Sequence, residues 1–299
     1  MDEKENDENP TIKHIVISGG GTYGLAAYGV LKETNMCGLW DVKNIENCFC
    51  TSIGAFISVI ILLGYDWETL DTFFIKRPWN EVFKYDIYTI LNSYDNCGIF
   101  EASIIENGLK PLFNGADISI NITLHDFFVK TGVKMHIYTV ELNTFKLICL
   151  SHTTHPNWRL IDALYATSCL PFFLKPLYIE NSIFIDGGIF LNYPLLECLK
   201  LENINSREIL GICRTNSDDP NYKLKQDSNL IEYVIFVFFK ILSTIKQDCY
   251  KKIENEIFVY MNPITASSFY EFANSETYRV ELIKIGMDAA KSFIKKGEC

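Results

Sequence analysis

Two short apolar runs, residues 13–18 and 45–50, each lead directly into a turn of small residues and then into a helical pattern. The first run enters Gly19, Gly20, Gly21, Thr22, Tyr23 and Gly24, then a helix pattern over 25–33. The second enters Thr51, Ser52, Ile53 and Gly54, then a helix pattern over 55–63. Apolar runs without alternation mark strands buried on both faces, and a repeated strand–turn–helix is the unit of a parallel sheet. Further along, 134–142 and 145–150 alternate around Asn143 and Thr144, and 178–180 and 183–185 flank Asn181 and Ser182, two hairpin signals. Residues 209–213 and 257–261 read as strands. The stretch 276–296 carries Val280, Ile283, Ile285, Met287, Ala290 and Phe293 at helical spacing. The predicted fold class is α/β, with a mainly parallel central sheet flanked by helices on both faces.

Composition narrows this little but excludes much. Of 299 residues, 48% are hydrophobic and 21% charged, a globular balance. The formal net charge of -10 removes the electrostatic footprint of a nucleic-acid binder, and any membrane contact must be apolar or rest on a local basic patch. Residues 1–11 read as an acidic disordered tail with no apolar secretory segment, and 12–299 as one domain, since no linker interrupts them. The ten cysteines contain no C-x-x-C pair, and Cys48 and Cys50 fall on one strand face. Reduced thiols in a cytoplasmic protein are the expectation, with peripheral membrane contact allowed. No run reaches the roughly 18 apolar residues of a spanning helix; the nearest, 230–245, carries Glu232 and Lys240.

Three segments could do chemistry. Ser52 stands at a strand-to-helix turn, within Cys50, Thr51, Ser52, Ile53 and Gly54, where a nucleophile is exposed above a sheet and faces helix amides. A serine there also reads as a helix N-cap. Gly19, Gly21 and Gly24 fit a dinucleotide turn, but the second strand ends at Cys50 and Ser52 rather than at the acidic residue such a turn requires. The alternative is an oxyanion hole, in which exposed amides hold a developing negative charge. Asp186 ends a strand before Gly187 and Gly188, which allow close approach to another loop; a turn aspartate is the plainer reading. All five histidines, His14, His125, His136, His152 and His155, precede Asp186, so the order serine, acid, histidine cannot be completed.

In this order the segments resemble the patatin-like phospholipases, most closely over 13–200, with 201–299 a looser C-terminal helical part. Residues 18–24 look like the family's glycine-rich loop, 50–54 like its nucleophile elbow and 186–188 like its acid motif; 138–144, 166–171 and 192–194 are also similar to family segments. The resemblance implies a three-layer sandwich and a Ser52–Asp186 dyad, with Ser52 as nucleophile and Asp186 as proton acceptor. It also implies an oxyanion hole from Gly19, Gly20, Gly21, Thr22 and Gly24. No metal and no cofactor are implied, and the substrate is a phospholipid or other lipid ester. Two positions depart from the pattern: Tyr23 stands where the family usually has Arg or Lys, and Cys50 replaces the first elbow glycine.

A lipase must meet its interface. Two segments could do so: 232–240, apolar on nearly every face, and 65–115, with Phe73, Phe74, Trp79, Phe83, Tyr85, Tyr88 and Tyr94. Both also read as core. The competing functions are a general carboxylesterase on the same scaffold, and a catalytically silent or nucleotide-binding protein using the turn at Gly19 to Gly24.

Overall fold

The computed structural model describes residues 10–84, 95, 97–216, 252–262 and 266–297, with scattered positions between 223 and 241. The expected disordered tail therefore lies almost wholly outside the described residues, as do Tyr85, Tyr88 and Tyr94, and Glu232, Ile235, Phe238 and Phe239 of the 232–240 segment.

Both strand–turn–helix units form. Strand β1 (His14–Ile17) leads through the glycine turn into helix α1 (Gly24–Met36), and β2 (Asn47–Thr51) leads through Ser52 into α2 (Ile53–Leu62). Helices α3 (Trp67–Lys76) and α4 (Trp79–Val82), strand β3 (Gly98–Phe100) and helices α5 (Ser103–Gly115) and α6 (Leu124–Thr131) follow. Asp66 caps α3 by accepting Thr69 N–H, and Thr123 caps α6 by accepting Asp126 N–H. The first hairpin is β4 (Lys134–Glu141) with β5 (Lys146–Leu150). Helix α7 (Leu160–Ser168) and β6 (Phe172–Leu174) lead to the second hairpin, β7 (Leu177–Ile179) with β8 (Ser182–Asp186). Helix α8 (Leu195–Leu199), strands β9 (Ile209–Asn216) and β10 (Glu256–Met261), and helices α9 (Ala266–Asn274) and α10 (Glu276–Gly297) complete the described elements.

The main sheet runs β10-β9-β1-β2-β4-β8-β7, with β5 on β4; β3 and β6 form a separate parallel pair. From β10 to β4 the neighbours are parallel, whereas β8 joins β4 antiparallel. β4 pairs with β2 up to Thr51 opposite Tyr138, and with β8 from Asp186 opposite Thr139. β5 already occupies the other edge of β4 over Ile137 to Glu141. A strand has two edges, so β2 and β8 share one edge of β4 and meet end to end at adjacent residues. The sequence predicts the two hairpins but not this meeting.

The larger core lies on one face, where Ile15, Ile17, Cys48, Cys50 and Ile137 are packed with residues of α1, α2, α7 and α10. On the other face Val16, Phe49, Tyr138 and Cys213 lie under Tyr193, Leu195 and Cys198 at α8. Phe73, Phe74 and Trp79 are buried in the larger core, so this part of the 65–115 segment is core. Trp79 Nε1–H donates to Phe74 O at 2.9 Å, which satisfies the ring's only polar atom. Arg279, buried on α10, joins three helices by donating to Ile75 O and Phe272 O, both at 2.7 Å.

Helices α1 and α10 touch backbone to backbone. A Cβ on Gly286 would stand 1.8 Å from Ala26 O, and one on Gly29 would stand 2.1 Å from Ile283 O. Alanine normally favours a helix interior over glycine by about 1 kcal/mol. Here the sign should reverse: Gly286→Ala is expected to destabilise by about 1–3 kcal/mol through overpacking, read as a lower midpoint in chemical denaturation. A raised midpoint would show that the two helices separate easily.

Candidate active site

Ser52 occupies a backbone conformation, φ 52 and ψ −128, that side chains with a Cβ rarely adopt. Its neighbours hold it there. Ser52 N–H donates to Thr167 Oγ1 at 2.8 Å, and the Thr167 hydroxyl in turn donates to Tyr138 O. Thr51 Oγ1 donates to Leu191 O at 2.8 Å. A Cβ on Gly54 would stand 2.6 Å from Ile17 O, so only glycine lets α2 start this close to β1. Ser52 makes no capping bond to its helix. Its hydroxyl instead donates to Asp186 Oδ2 at 2.8 Å.

Asp186 is buried, and its second oxygen, Oδ1, accepts Gly188 N–H at 2.7 Å. Thus the aspartate both shapes its own turn and reaches the serine. Burial pushes its pKa up to about 6, against the lowering by the Gly188 amide and the Ser52 hydroxyl. A Cβ on Gly187 would meet Tyr138 O at 2.1 Å, so the acid turn lies directly on β4. Four of the five histidines are engaged elsewhere. His14 and His136 both contact Asn47, at 3.1 and 3.2 Å, His152 stacks on Phe128 and His155 contacts Thr154 Oγ1.

The glycine turn lies against the serine: a Cβ on Gly19 would be 3.1 Å from Ser52 Cβ. Not all of its amides are available. Gly19 N–H donates to Asn192 O at 2.9 Å, and Gly24 N–H donates to Gly21 O and Thr22 O. Gly19 and Gly24, both expected as oxyanion donors, therefore have their amides already engaged, and both are closely packed, Gly19 against Asn192 and Gly24 against Ile53. Gly20, Gly21 and Thr22 have amides that donate to no protein acceptor among the described residues. Gly20 has φ 152 and Gly21 φ 57, backbone that glycine adopts at little cost.

Three residues here went unassigned in the sequence. Thr167 lies in the segment 166–171, and Asn192 in 192–194; both segments resemble the family but gave no hint of role. Asn192 Oδ1 stands 2.7 and 2.9 Å from where Cβ atoms on Gly19 and Gly188 would be, so it fills the gap between the two loops. Arg214 on β9 had no motif at all. Its N–H donates to Ser18 Oγ at 2.8 Å, and its Cδ lies 2.4 Å from a Cβ placed on Gly20, so its stem crosses the glycine turn.

The two departures have plain local accommodations. Cys50 is a buried residue of β2 without positive φ, so its small side chain fits in ordinary extended backbone. Tyr23 is fully buried, which raises its phenol pKa, and it points into the core instead of presenting a polar group at the loop.

The sequence model of the family described as patatin-like phospholipase matches residues 15–199. The probable lipid hydrolase 463L of Invertebrate iridescent virus 6 is 24% identical over 204 residues, covering 66% of each chain. The uncharacterized protein R571 of Acanthamoeba polyphaga mimivirus is 24% identical over 292 residues, covering 95% of this chain and 94% of that one. Among solved structures, VipD from Legionella pneumophila aligns over 96% of this chain and 67% of its own, with a TM-score of 0.56 at 15% identity, a likeness of fold. With the family match spanning more than half of its length, from β1 through the acid turn to α8, this chain belongs to the patatin-like phospholipase family.

Proposed function

We propose that the protein is a lipid acyl hydrolase of phospholipase A or lysophospholipase type, acting through Ser52 and Asp186. The observation that carries this is the 2.8 Å hydrogen bond from Ser52 Oγ to the buried Asp186 carboxylate. Ser52 Oγ attacks the acyl carbonyl carbon while its proton passes to Asp186 Oδ2. The amides of Gly20, Gly21 and Thr22 receive the oxyanion. Collapse expels the alcohol, which takes the proton from Asp186 and leaves an acyl ester on Ser52. Water then gives a proton to Asp186 as it attacks that ester, and fatty acid leaves as Ser52 is restored. A base with a pKa of about 6 is well matched to this work near neutrality. The steps use no metal, so calcium chelation should leave turnover intact.

Residues 12–299 act as one domain on this reading. Strands β9 and β10, from the C-terminal part, share the sheet with β1, and α10 packs on α1. The described cysteines are free thiols, which supports a cytoplasmic setting with transient contact at membrane surfaces. Burial of Tyr23 favours one second reading, a general carboxylesterase, because the loop has no cation at that position to meet a phosphate.

A fluorophosphonate probe should label the wild type and not Ser52→Ala, and both Ser52→Ala and Asp186→Asn should lose roughly three to four orders of magnitude in turnover, non-additively. Equal labelling of wild type and Ser52→Ala would remove Ser52 as nucleophile.

The pH dependence follows from Asp186. Activity should rise with pH to a plateau above about 6, as the carboxylate forms. Stability should move the other way. The folded protein holds this proton more tightly than the unfolded chain, so burial costs nothing below 3.8 and its full amount above about 6. That interval corresponds to about 3 kcal/mol at most. Asp186→Asn should therefore melt higher than wild type at pH 7, with the gain vanishing toward pH 4.

Thr167→Val keeps the shape but leaves Ser52 N–H and Tyr138 C=O without their shared partner. Such losses cost about 1–3 kcal/mol per buried group. Turnover should fall at least tenfold with little change in KM, and Thr167→Ser should restore it.

A further inference from the structure

We propose that Phe145 and Phe190 form the contact by which the protein docks on a neutral or zwitterionic lipid surface, an inference that rests on the lipid-hydrolase reading above. Phe145 ends the β4–β5 turn. The Glu141 carboxylate locks that turn from inside, accepting Asn143 N–H at 3.1 Å and Thr144 N–H at 2.7 Å. The lock leaves Phe145 at φ 51, a conformation suited to Gly or Asn and costly for a bulky side chain. The fold gains little in return, because Phe145 is 53% exposed. Its ring meets Phe190 edge-on at 4.8 Å, and Phe190 is itself 41% exposed, so the pair covers itself only in part. Leu142, at the other end of the same turn, is also exposed.

The location supplies the occupant. Phe190 follows the acid turn, donating its N–H to Gly187 O at 3.0 Å. The next two residues bind the serine and glycine segments: Leu191 O accepts Thr51 Oγ1, and Asn192 O accepts Gly19 N–H. The aromatic pair therefore stands on the outer side of the loop that closes the site, at the sheet edge where Ser52 lies. An acyl ester of a lipid resides in an aggregate, so the surface bordering the site must face that aggregate. Aromatic rings suit the headgroup boundary. A net charge of -10 gives the protein no bulk attraction to anionic lipid, so an apolar contact at this patch fits a surface without net charge. Two rings and one leucine make a small patch, which suits brief visits more than stable anchoring.

The test is the double variant Phe145→Asn, Phe190→Ser in the full chain, with phosphatidylcholine vesicles for flotation and hydrolysis and a short-chain ester kept monomeric. Asn accepts the left-handed backbone, so the melting temperature should hold or rise. Vesicle flotation and vesicle hydrolysis should both fall at least tenfold, while monomeric ester turnover stays within twofold. Binding of wild type should be nearly unchanged by salt, and a Phe145→Trp variant should show blue-shifted fluorescence on adding vesicles. Unchanged flotation of the double variant, equal loss on both substrates, or strongly salt-dependent binding would overturn the proposal. If the wild type cleaves neither substrate, the hydrolase reading fails, and flotation still decides the docking surface.

Discussion

One edge of β4 serves two strands, and the site depends on that economy. β2 runs along it as far as Tyr138, and β8 arrives from the opposite direction at Thr139. A parallel strand and an antiparallel strand thus end against each other on neighbouring residues, which brings Ser52 and Asp186 within hydrogen-bond reach. Several hydrogen bonds around this junction refer to β4. Tyr138 O receives the Thr167 hydroxyl that fixes Ser52, and it blocks any side chain at position 187. The Thr139 hydroxyl lies 3.0 Å from Ala166 O and 2.8 Å from Ile185 O, joining α7 to β8 beneath the carboxylate. The carboxylate needs no third residue to orient it toward Ser52, because β8 ends at Asp186 and β2 just before Ser52 on the same edge of β4.

The junction also explains why the carboxylate holds its proton more tightly than usual. It is sealed from water by the strands that deliver it, so desolvation outweighs the two hydrogen bonds that favour its charged form. The same burial that raises its basicity strains the folded state at neutral pH. Position 52 carries a second strain, its left-handed backbone. Stability is given up at two adjacent points, both within the site, while the sheet and the α1–α10 contact hold the rest.

Much of this was legible in the sequence, for identifiable reasons. Apolar runs ending in small-residue turns locate β1 and β2, because strands buried on both faces leave no other pattern. Asn143 and Asn181 locate the hairpins through turn chemistry. Ser52 and Asp186 were each ambiguous alone, as a cap and as a turn aspartate; Asp186 proved to be both a turn former and the serine's partner. What stayed hidden depends on long-range pairing. No local pattern says that β8 enters antiparallel beyond the end of β2, that Thr167 reaches Ser52 from 115 positions away, or that Asn192 O claims the Gly19 amide. The aromatics near Trp79 looked equally suited to a lid and a core, since a ring's preference for an interface or an interior is decided by its neighbours in space.

The place of β9 in the sheet has a consequence for the order of assembly. β1, which carries the glycine turn, is flanked on one side by β2 and on the other by β9, with His14 opposite Ile209. A ribosome that has released Ser52 and Asp186 has not yet released that second neighbour, nor α10, which seats α1. The growing chain thus holds both Ser52 and Asp186 while the strand beneath its glycine turn still has an open edge. Pairing over such a sequence distance is slow to close, and the glycine turn beside Ser52 gains its full support only with the last third of the polypeptide.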